Sequence, residues 1–259
     1  MGHAMMVDRK TLDRPRGAGV VAQLAAGGVA VLCVDLRGHG ESGPRASDGG
    51  DWTYDDLVAD VPLFLDEARR RFPGLPLSAV GHSLFGHVTL AHLSRHPETA
   101  LDGLVMLAGN VCNPSWRRHP IGWAQKAALV EVMHGLTRVY GRLPVERLRF
   151  GSDDESPSYV DDFTRMARRA VWRARDGFDY YAALDRVRTP VFALVGAGDR
   201  LMAPERDVRG LLHRVPRAIL EVVGRGSGLP YDPGHMDLVL DPRCQPVWER
   251  ARRFVLQPR

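Results

Sequence analysis

Leu77-Ser78-Ala79-Val80-Gly81-His82-Ser83-Leu84-Phe85-Gly86 is the stretch that decides how this chain folds. Leu77 to Val80 has the length and character of a short strand, and Gly86 to Arg95 continues as a helical pattern. A strand and a helix that close together leave Ser83 on an abrupt turn between them. Such a turn is strained and tightly packed, so small residues are wanted two places before and two places after the serine. Gly81 meets that need; Phe85 does not, and Gly86 relieves the crowding only partly.

Outward from this turn, strand-like and helix-like segments alternate. Val29 to Leu36 is a near-continuous apolar run, as expected of a parallel strand covered on both faces. Gly17 to Ala26 before it reads as a helix with Val20, Val21 and Leu24 inward. Thr53 can cap the next helix, in which Leu57, Val61, Leu65 and Ala68 recur at helical spacing. Leu104 to Ala108, Val191 to Val195 and Ile219 to Val223 read as further strands, with a helix around Val208, Leu211 and Leu212. Val247, Ala251, Phe254 and Val255 suggest a closing helix. This alternation argues for an α/β fold, a mostly parallel sheet flanked by helices.

Val111 to Arg188 breaks the rhythm. It is helical from Gly122 to Tyr140 and again from Tyr159 to Arg175, and it carries Trp116, Trp123, Trp172, Tyr180 and Tyr181. An insertion of this kind suits a helical lid over the strand ends. Its aromatics either line an apolar pocket or form a small core of the lid. The expected organisation is 1–110 as the first part of the α/β core, 111–188 as the lid and 189–259 as the rest of the core.

Composition narrows the function. With 44% apolar and 25% charged residues the chain is ordinary for a globular protein, and no window approaches a membrane span. Met1 to Arg16 is polar, broken by Asp8, Lys10 and Asp13, and unlike a signal peptide. The net charge is +4, and the basic clusters at Arg69 to Arg71, Arg117-Arg118 and Arg168 to Arg175 read as solvated faces rather than a nucleic-acid surface. Cys33, Cys112 and Cys244 are too few and too scattered for a disulfide framework or a zinc site, so no metal is expected and a reducing cytoplasm fits. Cys33 reads as a buried small hydrophobe within its strand.

Serine attacks a carbonyl only when a base takes its proton and a third group holds that base in the right tautomer. Ser83 supplies the hydroxyl, and the backbone N–H of Leu84 points toward the developing oxyanion. Asp199, in Val195-Gly196-Ala197-Gly198-Asp199-Arg200, stands just past the carboxyl end of a strand, where catalytic groups collect in open α/β sheets. His235, in Asp232-Pro233-Gly234-His235-Met236-Asp237, follows the last strand and gives the chain order Ser, Asp, His. Asp237 is a reserve acid. His39, His82 and His87 also lie near the presumed site.

With these residues in view, the chain resembles the serine-hydrolase branch of the α/β-hydrolase superfamily, near the monoacylglycerol lipase and lysophospholipase-like enzymes. The matching pieces are Asp35-Leu36-Arg37-Gly38-His39-Gly40-Glu41-Ser42, the Gly81 to Phe85 turn, Gly198-Asp199-Arg200 and Gly234-His235-Met236-Asp237, covering about residues 17 to 256. The resemblance implies a triad of Ser83, Asp199 and His235, ester substrates, often of fatty acids, and no cofactor. A serine at 83 sets the chain apart from the haloalkane dehalogenase and epoxide hydrolase branches, whose nucleophile is an aspartate. The family also implies a β-hairpin and a central strand ending in a His-Gly loop, which donates the second oxyanion N–H. Met1 to Asp8 offers no equivalent, so the expected fold is N-terminally shortened, from a truncated reading or a rearranged sheet. Loss of one oxyanion donor costs about 3 kcal/mol of transition-state stabilisation.

The resulting expectation is a serine hydrolase acting on a small-molecule carboxylic ester, with an apolar acyl group and an acyl-enzyme intermediate, and with activity weakened by Phe85 and the short N-terminus. The competing expectation is an impaired protein of the same fold that binds a small apolar ligand or a protein partner. A nucleotide-binding reading of Gly38-His39-Gly40 fails, because the spaced glycine fingerprint and its acidic partner are missing. Oligomeric state is not encoded in these patterns.

Overall fold

Four parallel strands form the sheet in the spatial order β1 (Ser78–His82), β2 (Gly103–Leu107), β3 (Val191–Gly196) and β4 (Ala218–Val223). The computed structural model describes residues 1–257. Helices α1 (Val20–Ala26) and α2 (Tyr54–Arg71) precede the sheet, and α3 (Leu84–Arg95) links β1 to β2. Between β2 and β3 the chain inserts α4 (Pro120–Tyr140), α5 (Val145–Leu148) and α6 (Pro157–Arg169); α7 (Glu205–Leu212) links β3 to β4. Short α8 (Asp237–Leu240) and α9 (Gln245–Leu256) close the chain. The protein is thus an α/β fold with a parallel sheet flanked by helices and a helical insertion.

Burial follows from position in the sheet. Every residue of β2 and β3 is buried, which explains why those segments read as continuous apolar runs. At the edge only Val223 of β4 is buried, and Glu221 there pairs with Arg250 of α9 at 3.1 Å. α2 begins as anticipated. Thr53 Oγ1 accepts from Asp56 N–H (3.0 Å) while Asp56 Oδ2 accepts from Thr53 N–H (2.8 Å), a reciprocal cap that satisfies two orphan donors. Leu57, Val61, Leu65 and Ala68 are all buried. At its far end Arg69, Arg70 and Arg71 pair with Asp66 and Glu67 on the solvated face.

Three expectations need correction. α6 stops at Arg169 rather than Arg175, because Ala170 turns left-handed at φ 45° and Val171 N–H returns to Met166 O at 3.1 Å. Val29 to Leu36 is not a strand buried on both faces. Among the described residues its strand pairing is a bridge between Val34 and Gly2, flanked by the Met1 amino group donating to Leu32 O at 2.6 Å; residues 31–34, Cys33 among them, are half-buried. The reason lies in its neighbour: Met1 to His3 lies between it and β1, and these few residues can satisfy only a short ladder.

That neighbour is the third difference. The sheet position beside β1 is not vacant, since Gly2 N–H donates to Val80 O (3.1 Å) and Gly2 O accepts from His82 N–H (3.0 Å). On its other side Met1 O accepts from Val34 N–H at 3.0 Å. Three residues therefore take the central place that the sequence reading leaves empty. Beyond them, between Val29–Val34 and β1, an apolar trough of about 1130 Å³ remains, with Phe64, Phe72 and Phe85 in its wall.

Phe85 is accommodated by turning into that trough. Any Cβ at Gly2 would fall within the Phe85 ring, and Phe64 packs on the ring at 6.0 Å between centroids. Gly81 instead faces backbone: a Cβ there would come within 2.6 Å of Gly86 Cα and 2.8 Å of Phe85 C. The small residues demanded by the tight turn are thus Gly81 and Gly86, and the Phe85 side chain leaves on the other side.

Candidate active site

Ser83 sits between β1 and α3 at φ 48° and ψ −106°, a conformation that non-glycine residues rarely adopt. Ser83 N–H donates to Leu107 O of β2 at 2.9 Å, and Ser83 O accepts from His87 N–H at 3.2 Å, so both neighbours fix the turn. Leu84 N–H opens α3 and has no intrahelical acceptor, whereas the next amide, Phe85 N–H, is taken by His3 O at 3.3 Å. The positive end of the α3 dipole therefore faces the serine.

Asp199 and His235 meet although they lie in different loops: His235 Nδ1 and Asp199 Oδ2 are 2.6 Å apart. Glycines permit the approach. A Cβ at Gly196 or Gly198 would strike the carbonyl of Pro233 or Asp232, and Gly198 N–H donates to Pro233 O at 3.0 Å. The other carboxylate oxygen, Asp199 Oδ1, accepts from Met202 N–H (2.9 Å) and Ala203 N–H (3.0 Å). Burial alone raises the Asp199 pKa, but the His235 hydrogen bond and charge and the two amides outweigh it and hold the carboxyl below its usual range. The reserve acid has another use: Asp237 Oδ2 accepts from Gly234 N–H at 2.6 Å and ties the His235 loop.

Ser83 comes to this pair through its neighbour. His82 Nε2 lies 3.1 Å from the His235 carbonyl, and the two rings are 5.2 Å apart. A carbonyl only accepts, so Nε2 carries the proton and Nδ1 stays bare, sealed in the protein without a partner among the described residues. Burial, with the nearby His235 charge, pushes the His82 pKa down to about 3. Among the described residues Ser83 Oγ makes no hydrogen bond, so the serine and His235 are not linked in this arrangement.

Of the other histidines flagged in the sequence, His39 is structural. Its Nδ1 faces Arg37 O at 2.9 Å and its Nε2 faces Glu155 Oε1 at 3.2 Å, with both side chains fully buried. Burial opposes its charge, yet Glu155 overcomes that and raises the His39 pKa to about 9. Glu155 Oε1 also accepts from Met6 N–H at 2.7 Å, so one insertion carboxylate grips both His39 and the loop after His3. Sequence reasoning missed Glu155 and His3, whose Nε2 accepts from Leu36 N–H at 2.9 Å. The only available signal was Gly2-His3 itself.

The insertion aromatics are mostly core: Trp116, Trp172 and Tyr180 are buried. Among the described residues no group of three or more His, Cys, Asp or Glu could hold a metal ion, and no helix is long and apolar enough to cross a membrane.

Residues 15–223 match the sequence profile of the family described as serine aminopeptidase, S33. Protein phosphatase methylesterase 1 of Candida albicans is 33% identical over 79 residues, 30% of this chain and 21% of that protein. The monoacylglycerol lipase of Mycolicibacterium smegmatis is 28% identical over 141 residues, 54% of this chain and 46% of the relative. The chain thus spans less than half the length of the curated relatives it matches. Among solved structures, a metagenome-derived lipolytic enzyme superposes with a TM-score of 0.65 at 14% identity, over 99% of this chain and 91% of that one. At that identity the likeness speaks for the fold.

Proposed function

The chain belongs to the serine aminopeptidase S33 family of α/β hydrolases, and from that premise we propose that it cleaves a carboxylic ester through an acyl-enzyme. One observation carries the proposal: Asp199 and His235 form a 2.6 Å pair, and His82, next to the strained Ser83, reaches the His235 carbonyl at 3.1 Å. In this reading Ser83 Oγ turns to His235 Nε2. Oγ attacks the ester carbonyl as its proton passes to His235, while Asp199 holds Nδ1–H and stabilises the imidazolium. The tetrahedral oxyanion takes Leu84 N–H and the α3 dipole. Collapse expels the alcohol, which takes the proton from His235. Water then attacks the acyl group with His235 again as base, and Ser83 is regenerated.

The partner is a small-molecule ester with an apolar acyl group, and three free cysteines suit a reducing, cytoplasmic setting. The test is labelling of the folded protein with a fluorophosphonate and mapping of the adduct. Modification at Ser83, abolished in S83A and sharply slowed in H235A, supports the reading. A folded protein that takes no label returns the other one, a hydrolase fold that binds an apolar ligand or a protein without turning it over.

A further inference from the structure

His87 lies one turn beyond Ser83, in the first part of α3, and is 3% exposed. Its ring is oriented by a chain that starts in the insertion. Trp172 Nε1 lies 3.0 Å from Tyr54 Oη, and Tyr54 Oη lies 2.9 Å from His87 Nδ1. An indole N–H can only donate, so Tyr54 Oη accepts from Trp172. If His87 Nδ1 also donated to Tyr54, the phenolic proton would be left buried without an acceptor. The satisfied arrangement sends the Tyr54 proton to Nδ1, and the neutral ring then carries its own proton on Nε2.

Nε2 is the free end of this chain. It has no protein partner among the described residues, and it is not among the polar atoms sealed from solvent. Because Nδ1 points at Tyr54, Nε2–H projects away from Tyr54. The ring sits on the turn that holds Ser83, whose carbonyl accepts from His87 N–H at 3.2 Å, and burial, reinforced by the charge of His235, pushes the His87 pKa down to about 3. His87 is thus a neutral donor with a fixed tautomer next to the triad, and the mechanism above does not use it.

The geometry points to His87 Nε2–H as a substrate-contacting donor that selects esters bearing a further oxygen, on the acyl or the alcohol side, over their all-carbon counterparts. The inference rests on the ester-hydrolase reading and adds a substrate class to it. Phe removes the donor while keeping a ring; Gln keeps an N–H in reach.

The test compares two substrate pairs with the intact protein. One pair is p-nitrophenyl butyrate and p-nitrophenyl methoxyacetate, which places an ether oxygen in the acyl chain. The other is propyl butyrate and glyceryl monobutyrate, which places hydroxyls on the alcohol. For each enzyme the ratio of kcat/KM within a pair is taken, so intrinsic reactivity cancels between variants. H87F is expected to lower the oxygenated-to-carbon ratio by about fivefold in one pair, the worth of one neutral hydrogen bond, and that pair identifies the side contacted. H87Q is expected to restore most of it, and thermal melts check that both variants fold. Unchanged ratios in both pairs for folded H87F, with wild type active, overturn the His87 assignment and leave the hydrolase reading standing. A wild type that hydrolyses none of the four esters removes both. Nitrogen-15 NMR of the ring gives a check independent of turnover: Nε2–H between pH 5 and 8 is required, and an Nδ1–H tautomer refutes the proposal.

Discussion

Replacing Asp199 by Asn tests the proposed triad at its best-defined contact. Oδ1 of Asp199 serves the amides of Met202 and Ala203 while Oδ2 faces His235 Nδ1 at 2.6 Å. An Asn side chain is nearly isosteric, and two backbone donors require its oxygen to stay on the Oδ1 side. Its NH2 then replaces Oδ2, and a donor faces a donor. The conflict ends only if His235 loses the Nδ1 proton and accepts from the amide, which puts the ring proton on Nε2. That is the atom that must receive the Ser83 proton, so the base is held in the wrong tautomer. A loss of about 10⁴ in kcat at neutral pH follows, or roughly 5.5 kcal/mol. Fold stability should hardly change, because both loop amides keep their acceptor. The assay is p-nitrophenyl butyrate hydrolysis by wild type and D199N, with melting curves and fluorophosphonate labelling rates alongside. D237N is the control: its oxygen can still accept from Gly234 N–H, so a loss of no more than about tenfold is expected, the scale of one hydrogen bond. A well-folded D199N within tenfold of wild type refutes the reasoning, and a large loss in D237N alone reassigns the acid.

Two further outcomes follow from the buried histidines. H82L leaves the His235 carbonyl without the donor now 3.1 Å away, so kcat should fall about tenfold with KM little changed; H82Q, which can still donate, should recover most of it, and equal losses in both variants would contradict the positioning role. His3, His82 and His87 are held neutral by burial, at about 4, 3 and 3 against an ordinary 6.5. Only the unfolded chain takes up these protons below pH 6.5, so their contribution is whole above 6.5 and is lost as pH falls toward 4 and below, by about 1.4 kcal/mol per unit for each histidine. His39, raised to about 9, has the opposite sign: its contribution is whole below 6.5 and fades as pH rises through 9. Urea midpoints at pH 4.5, 5.5, 7 and 9.5 should trace a maximum near neutrality, and a flat profile from 7 to 4.5 contradicts the neutral burial of the three.

What the sequence disclosed follows from which interactions leave a periodic trace. Leu57, Val61, Leu65 and Ala68 share a helix face because one side of α2 is buried, and β2 and β3 are apolar throughout because both of their faces are covered. Asp199 and His235 were legible for a related reason: each follows a strand end, and the glycines beside them, Gly196, Gly198 and Gly234, mark loops that must come close. Contacts between single residues far apart in the chain leave no such trace. His39 and Glu155 are separated by 116 positions, and neither neighbourhood announces the other. Met1 to His3 joins the sheet through backbone atoms, and three residues are too few to show alternation. Phe85 makes the same point from the opposite direction. Its ring is admitted because Gly2 has no Cβ, a condition set at the far end of the chain. The turn's own demand for closeness is met one place later, by Gly86 against Gly81. A motif read residue by residue registers Phe85 as a violation. In three dimensions the requirement belongs to the backbone contact between β1 and α3, and this chain meets it at a shifted position.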